Sequence, residues 1–161
     1  MDADGDDMQA LPTGREAWQQ ALRALLADPG GACCLYSADY ADWPLGEAAV
    51  VDALEAWALT RRQCGLRMLA RRFDGLAQAA PRFVDWRVRF AHVLECRELA
   101  DGLEAPAEGV LLAGRGVIAK TLEHGRAGVF CRGAAWLAAM QRWEAAWDRS
   151  HPAFGAYTLG L

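Results

Sequence analysis

Ala32-Cys33-Cys34-Leu35-Tyr36-Ser37 is a short apolar run, bounded by Pro29-Gly30-Gly31 before it and by Asp39-Tyr40-Ala41-Asp42-Trp43-Pro44 after it. An apolar run without polar alternation, closed on both sides by turn formers, fits a strand buried on both faces. Gly65-Leu66-Arg67-Met68-Leu69-Ala70 repeats the pattern, and between the two runs Val50, Val51, Leu54, Trp57 and Ala58 recur at helical spacing. Strand, helix and strand in this order imply parallel strands joined by a right-handed helical crossover.

Working towards the N-terminus, Trp18, Leu22, Leu25 and Leu26 mark a helix that ends at Pro29-Gly30-Gly31. Thr13-Gly14-Arg15-Glu16 reads as its capping box, the Thr hydroxyl taking the Glu16 backbone N–H. Residues 1–12 read as an acidic flexible leader ending at Pro12, and residues 13–161 as one domain. Towards the C-terminus, Asp74 is expected to cap a helix through Leu76 and Ala80, and Pro81 to restart it, because its ring is unsuited to a helix interior. Phe83, Trp86, Val88 and Phe90 continue that segment, and His92 to Glu98 alternates as a third strand. Gly109–Ala113 and Val117–Leu122 flank Gly114-Arg115-Gly116 as a hairpin, Gly128–Cys131 adds a further short strand, and Gly133–Ser150 is the last helix. Trp136, Met140, Trp143 and Trp147 form one stripe along it, read first as core and second as a dimer contact. Pro152 closes the helix, and the tail from Phe154 docks on the body. The expected fold is a single three-layer α/β domain whose mixed sheet has a parallel β-α-β-α-β core and antiparallel additions.

Composition agrees with a globular chain of 161 residues: 53% hydrophobic, 24% charged, with seven Trp. No apolar run reaches the roughly 18 residues of a membrane span. The acidic start, Met1-Asp2-Ala3-Asp4-Gly5-Asp6-Asp7, lacks the basic and apolar regions of a secretory signal, so the cytoplasm is expected. Five Cys with no C-x-x-C spacing suit reduced, buried thiols in that compartment. Net charge is −4, which sets nucleic acid aside as a partner. The charge is uneven, however. Residues 61–97 hold nine Arg against Asp74, Asp85 and Glu95, a net of +6 that leaves −10 for the rest.

The element order is similar to one half of the phospholipase D-like fold. Gly109-Val110-Leu111-Leu112-Ala113-Gly114-Arg115-Gly116-Val117-Ile118, with Trp143-Glu144-Ala145-Ala146-Trp147-Asp148-Arg149-Ser150, also resembles the C-terminal part of an uncharacterised proteobacterial family thought to carry that fold. The resemblance implies a phosphodiester site with a His-x-Lys-x-x-x-x-Asp signature at the hairpin, built from two halves. No His-x-Lys occurs in this chain, and Glu108 stands near the place of the lysine, where its charge repels phosphate. The implication is thus an architecture without the activity.

Other constellations are incomplete. His92 and Cys96 are four apart but lack a third ligand, so no metal is expected. His124 lies in a turn composition and His151 at a helix end, and neither has a nucleophile at motif spacing. Ser37 and Ser150 lack a nearby base, and no G-x-S-x-G, P-loop or G-x-G-x-x-G is present, so no catalytic residue and no cofactor are assigned. Open α/β sheets bind ligands beyond the C-terminal strand ends. Those ends carry Asp39, Asp42 and Trp43, then Arg71, Arg72 and Asp74, then Arg97 and Glu98. Asp39, Asp42, Trp43, Arg71, Arg72 and Arg97 are therefore the candidate ligand-binding residues, for a small anionic ligand. The main expectation is a catalytically inactive binding or interaction module. The alternatives are an enzyme with Asp39 or Asp42 as base and Arg71 or Arg97 as anion clamp, and a homodimer whose role is assembly.

Overall fold

The computed structural model of the chain describes residues 7–122 and 125–155. One eight-stranded sheet runs through it, in the order β1-β7-β6-β5-β2-β3-β4-β8. Strands β2 (Cys33–Tyr36), β3 (Leu66–Ala70) and β4 (Leu94–Glu98) are parallel, linked by α2 (Ala48–Ala58) and by α3 (Asp74–Ala79) with α4 (Pro81–Arg89). Strands β5 (Gly109–Leu112), β6 (Arg115–Leu122) and β7 (Gly125–Arg132) continue antiparallel on the other side of β2. The parallel core with antiparallel additions is the one expected.

The three strands at the centre, β5, β2 and β3, are largely apolar because helices cover both faces. Helices α1 (Arg15–Leu26), α2, α3 and α4 bury Trp18, Leu22, Leu54, Phe83 and Trp86 against Leu35, Met68, Leu94 and Val110. On the opposite face a single helix, α5 (Gly133–Asp148), buries Trp143 and Trp147 against Cys34, Leu69 and Leu111. Trp143 is 1% exposed, and its indole N–H donates to Leu35 O at 3.1 Å, so this end of the tryptophan stripe is core. Trp136 and Met140 are half-buried at the other end.

Local departures from expectation have local causes. Met8–Ala10, assigned to the leader, form β1 antiparallel to β7, because β7 would otherwise be an open edge. The capping box at Thr13 does not form. Gly14 starts α1 at φ 114°, suited to glycine, and its N–H donates to Arg126 O at 2.8 Å, so the strand anchors the helix start. Asp74 is not a cap either: Phe73 holds the cap position, and the Glu98 carboxylate of β4 accepts its N–H at 3.0 Å. Pro81 does restart the helix, at the first turn of α4. The β5–β6 turn is Ala113-Gly114, with Gly114 at φ 78°, so Arg115 and Gly116 already belong to β6. His92 precedes β4, and His151–Pro152 form β8 on its outer edge. His124 and the tail beyond Gly155 lie outside the described residues.

Candidate functional site

After β4 the chain crosses back over β2 and lays β5 on its far side, so the gap between the end of β2 and the start of β5 is the topological switch point. The register pairs Tyr36 with Gly109, which sets Ser37 and Glu108 side by side at its mouth. On its other side β5 approaches β6 closely: a Cβ on Gly109 would lie 2.1 Å from Val117 O. A carboxylate beside a buried strand needs donors, and Glu108 Oε2 has three. It accepts from Ser37 Oγ at 3.2 Å, Trp43 Nε1 at 2.9 Å and Arg126 Nη1 at 3.0 Å.

Arg126, on β7, carries the network further. Its other terminal nitrogen meets Asp42 Oδ2 at 3.1 Å, Arg15 meets Asp42 Oδ1 at 3.3 Å, and the guanidinium lies 5.9 Å from the Trp18 ring. Trp43 packs edge-on against Trp18 and Tyr40 at 6.2 and 4.8 Å, while Tyr40 stacks on Phe73. Tyr40 turns the chain at φ 58°. It holds that left-handed conformation by donating its N–H to Ser37 Oγ and its hydroxyl to Leu69 O. Burial pushes the Tyr40 and Tyr36 phenols above their usual range, which keeps both neutral.

The six candidate residues divide. Asp42 and Trp43 join this network. Asp39 accepts the Ala41 N–H in a tight local turn. Arg71 donates to the carbonyls of Ala100 and Leu103, fastening the loop that leads to β5. Arg72 pairs with Asp101 on the exposed surface, 3.0 Å apart. Arg97 turns to the α5 face, over the Trp147 ring at 5.1 Å and bonded to Ser150 O. The alternation of side chains along β4 explains Arg97, which points to the opposite face from Cys96. Ser37 and Arg126 were not among the candidates. Glu108, a lone acid directly before a fully apolar strand, was a visible signal, whereas nothing in the sequence brings Arg126 to it. His92 is exposed and far from Cys96 in environment, since Cys96 is buried on β4. Among the described residues no three His, Cys, Asp or Glu converge as a metal-binding group.

A mixed sheet wound this way, with its switch point beside β2, is a phospholipase D-like α/β architecture. The chain belongs to the family described as domain of unknown function (DUF7931), which matches residues 14–155. No curated protein matches it. Among solved structures it is similar to TrmBL2, an archaeal chromatin protein with a novel mode of DNA binding, at 10% identity and TM-score 0.68. That match covers 94% of this chain and 55% of TrmBL2, so the chain spans about half the length of that protein. It is also similar to Nuc from Salmonella typhimurium, a phospholipase D family member, at 7% identity and TM-score 0.59 over 91% of this chain and 98% of that one. NucT from Helicobacter pylori follows at 6% identity and TM-score 0.56, over 91% and 97%. At such identities the likeness is one of fold. It corrects the exclusion of nucleic acid, because a DNA-binding protein carries this fold. Net charge was the wrong guide: it averages over a surface on which the signs can be segregated. Among the described residues no helix is long and apolar enough to cross a membrane.

Proposed function

We propose that this chain is a phospholipase D-like domain that binds and does not cleave, a pseudoenzyme working in the cytoplasm. The observation that carries the reading is Glu108. A phosphoryl group entering the switch-point crevice would meet its carboxylate, already fastened by Ser37, Trp43 and Arg126. The cation that could neutralise a phosphate there is committed to Glu108 and Asp42. The sequence supports the same reading, since the only lysine is Lys120 and no His-x-Lys exists. Asp42 and Trp43 thus serve to close the crevice, and Asp39, Arg71, Arg72 and Arg97 to hold the chain around it. Five unpaired thiols, four of them buried, support the reducing compartment.

The test is hydrolysis of bis(p-nitrophenyl) phosphate by the purified chain, beside Glu108→Gln and Ser37→Ala. The expected rate for all three equals that of buffer. Turnover by the wild-type chain that Ser37→Ala or Glu108→Gln abolishes would overturn the proposal and install the crevice as an active site.

A further inference from the structure

The two ends of the sheet differ in how their arginines are engaged. The crevice end mixes Asp39, Asp42, Glu98, Asp101, Glu104 and Glu108 with Arg15, Arg71, Arg72, Arg97 and Arg126, and each of these arginines is bonded to a carboxylate or a backbone carbonyl. At the opposite end β2, β3, β4 and β6 begin, β5 and β7 finish, and α5 starts. There Arg115, the first residue of β6, is the direct cross-strand partner of Arg132, the last of β7. Both are exposed, and directly opposed residues of an antiparallel pair share a face. Like charges so placed weaken the pair unless an anion joins them. Among the described residues neither has an acidic ion-pair partner. Arg132 lies over the Phe130 ring at 5.3 Å, a cation–π contact. Arg62, exposed in the loop before β3, stands at the same end. The adjacent Arg61 is engaged with Gly30 O and the Trp57 ring. The described acids at this end include Asp7, whose carbonyl takes the Arg132 N–H and whose carboxylate lies against Gly133, together with Asp28 and Glu95.

We infer that this end of the sheet docks the phosphodiester backbone of nucleic acid through Arg62, Arg115 and Arg132. From β3 to β7 is four strand spacings, about 19 Å. That is too wide for one small anion and suits successive phosphates along a strand, where Arg forks accept phosphate oxygens two at a time. The inference rests on the reading that the domain binds without cleaving, and it places binding at the end of the sheet away from the closed crevice.

The test uses the full chain and a fluorescein-labelled 20-base-pair duplex, followed by anisotropy at 50 and 200 mM salt. With three phosphate contacts the slope of log K against log salt is about −2.7, so the affinity falls about fortyfold over that range. Arg115→Ala/Arg132→Ala is expected to reduce the magnitude of the slope by about 1.8, and Arg62→Ala by about 0.9. Arg142→Ala/Arg149→Ala, which removes the same charge from α5 towards its other end, is expected to leave both affinity and slope within twofold. Circular dichroism confirms that each variant is folded. Failure of the wild-type chain to bind at 50 mM salt overturns the surface. So does an unchanged slope in Arg115→Ala/Arg132→Ala, or an equal loss in the Arg142/Arg149 control. The duplex recovered from each mixture is run on a gel. Cut DNA overturns the non-cleaving reading while the arginine surface stands, and intact unbound DNA overturns the surface alone.

Discussion

Replacing Arg126 with Ala tests whether the crevice is stapled shut. The guanidinium bridges Asp42 at 3.1 Å and Glu108 at 3.0 Å, and the three side chains are 27, 35 and 22% exposed. Removing it leaves Glu108 with two neutral donors and Asp42 with Arg15 alone. Breaking a fully buried ion pair costs about 3–5 kcal/mol, whereas an exposed pair contributes about 0–1 kcal/mol. At roughly a quarter exposure, solvent screens part of the interaction, and a loss of about 2 kcal/mol is expected, in line with charged hydrogen bonds elsewhere. For a domain of this size each kcal/mol moves Tm by about 2–4 °C, so Arg126→Ala should lower it by about 4–8 °C. The assay is urea unfolding of the wild-type chain, Arg126→Ala, Glu108→Ala and the double variant. The cycle should give a coupling of about 1–2 kcal/mol that shrinks as salt is raised. A single-variant loss below about 0.5 kcal/mol, or a coupling of zero, would show that Arg126 does not hold Glu108, and the argument from a committed cation would fail.

Two further measurements probe the frame around the site. Gly109→Ala places a Cβ 2.1 Å from Val117 O on the neighbouring strand, so β5 and β6 must part; a loss of more than about 2 kcal/mol in urea unfolding is expected. Gly75→Ala in α3 meets nothing within 4 Å and should be neutral or stabilising by up to about 1 kcal/mol, and the reverse ranking of the two would refute the close-approach argument. Burial pushes the Cys34 thiol up to about 11 and the Cys96 thiol to about 12. Because the unfolded chain ionises these thiols near their ordinary pKa of about 8.5, their contribution is complete below that pH and is lost as pH rises through 9 to 12. Cys96→Ala should flatten the fall of Tm between pH 8 and 11, and an unchanged profile would count against a buried neutral thiol at that position.

The elements whose signal is local were legible. Cys33–Tyr36 and Leu66–Ala70 could be read as strands because both of their faces are covered, which removes the polar alternation from the sequence itself. The break at Pro81 was equally visible, since a missing N–H and a fixed φ act within one turn. The misreadings share one cause. Thr13 and Asp74 have capping chemistry, but Arg126 O and Glu98 Oε2, distant in sequence, bind the N–H groups of Gly14 and Phe73 and so fix those residues as the helix starts. β1 was missed because Met8-Gln9-Ala10 has no strand pattern of its own; it is exposed, and pairs because β7 offers an edge.

What the sequence determined alone is the parallel α/β core, the absence of a His-x-Lys pair and the presence of an acid directly before β5. These are matters of period, composition and neighbouring residues, which the chain carries wherever it is placed. Which charges meet was decided only by tertiary structure. The crossing from β4 back to β5 brings Ser37, Asp42 and Trp43 to Glu108, and the β6–β7 pairing brings Arg126 across to join them. The same pairing sets Arg115 beside Arg132. Partner choice for a charge depends on distances of a few ångströms in space, and strand order, which no local pattern encodes, sets those distances.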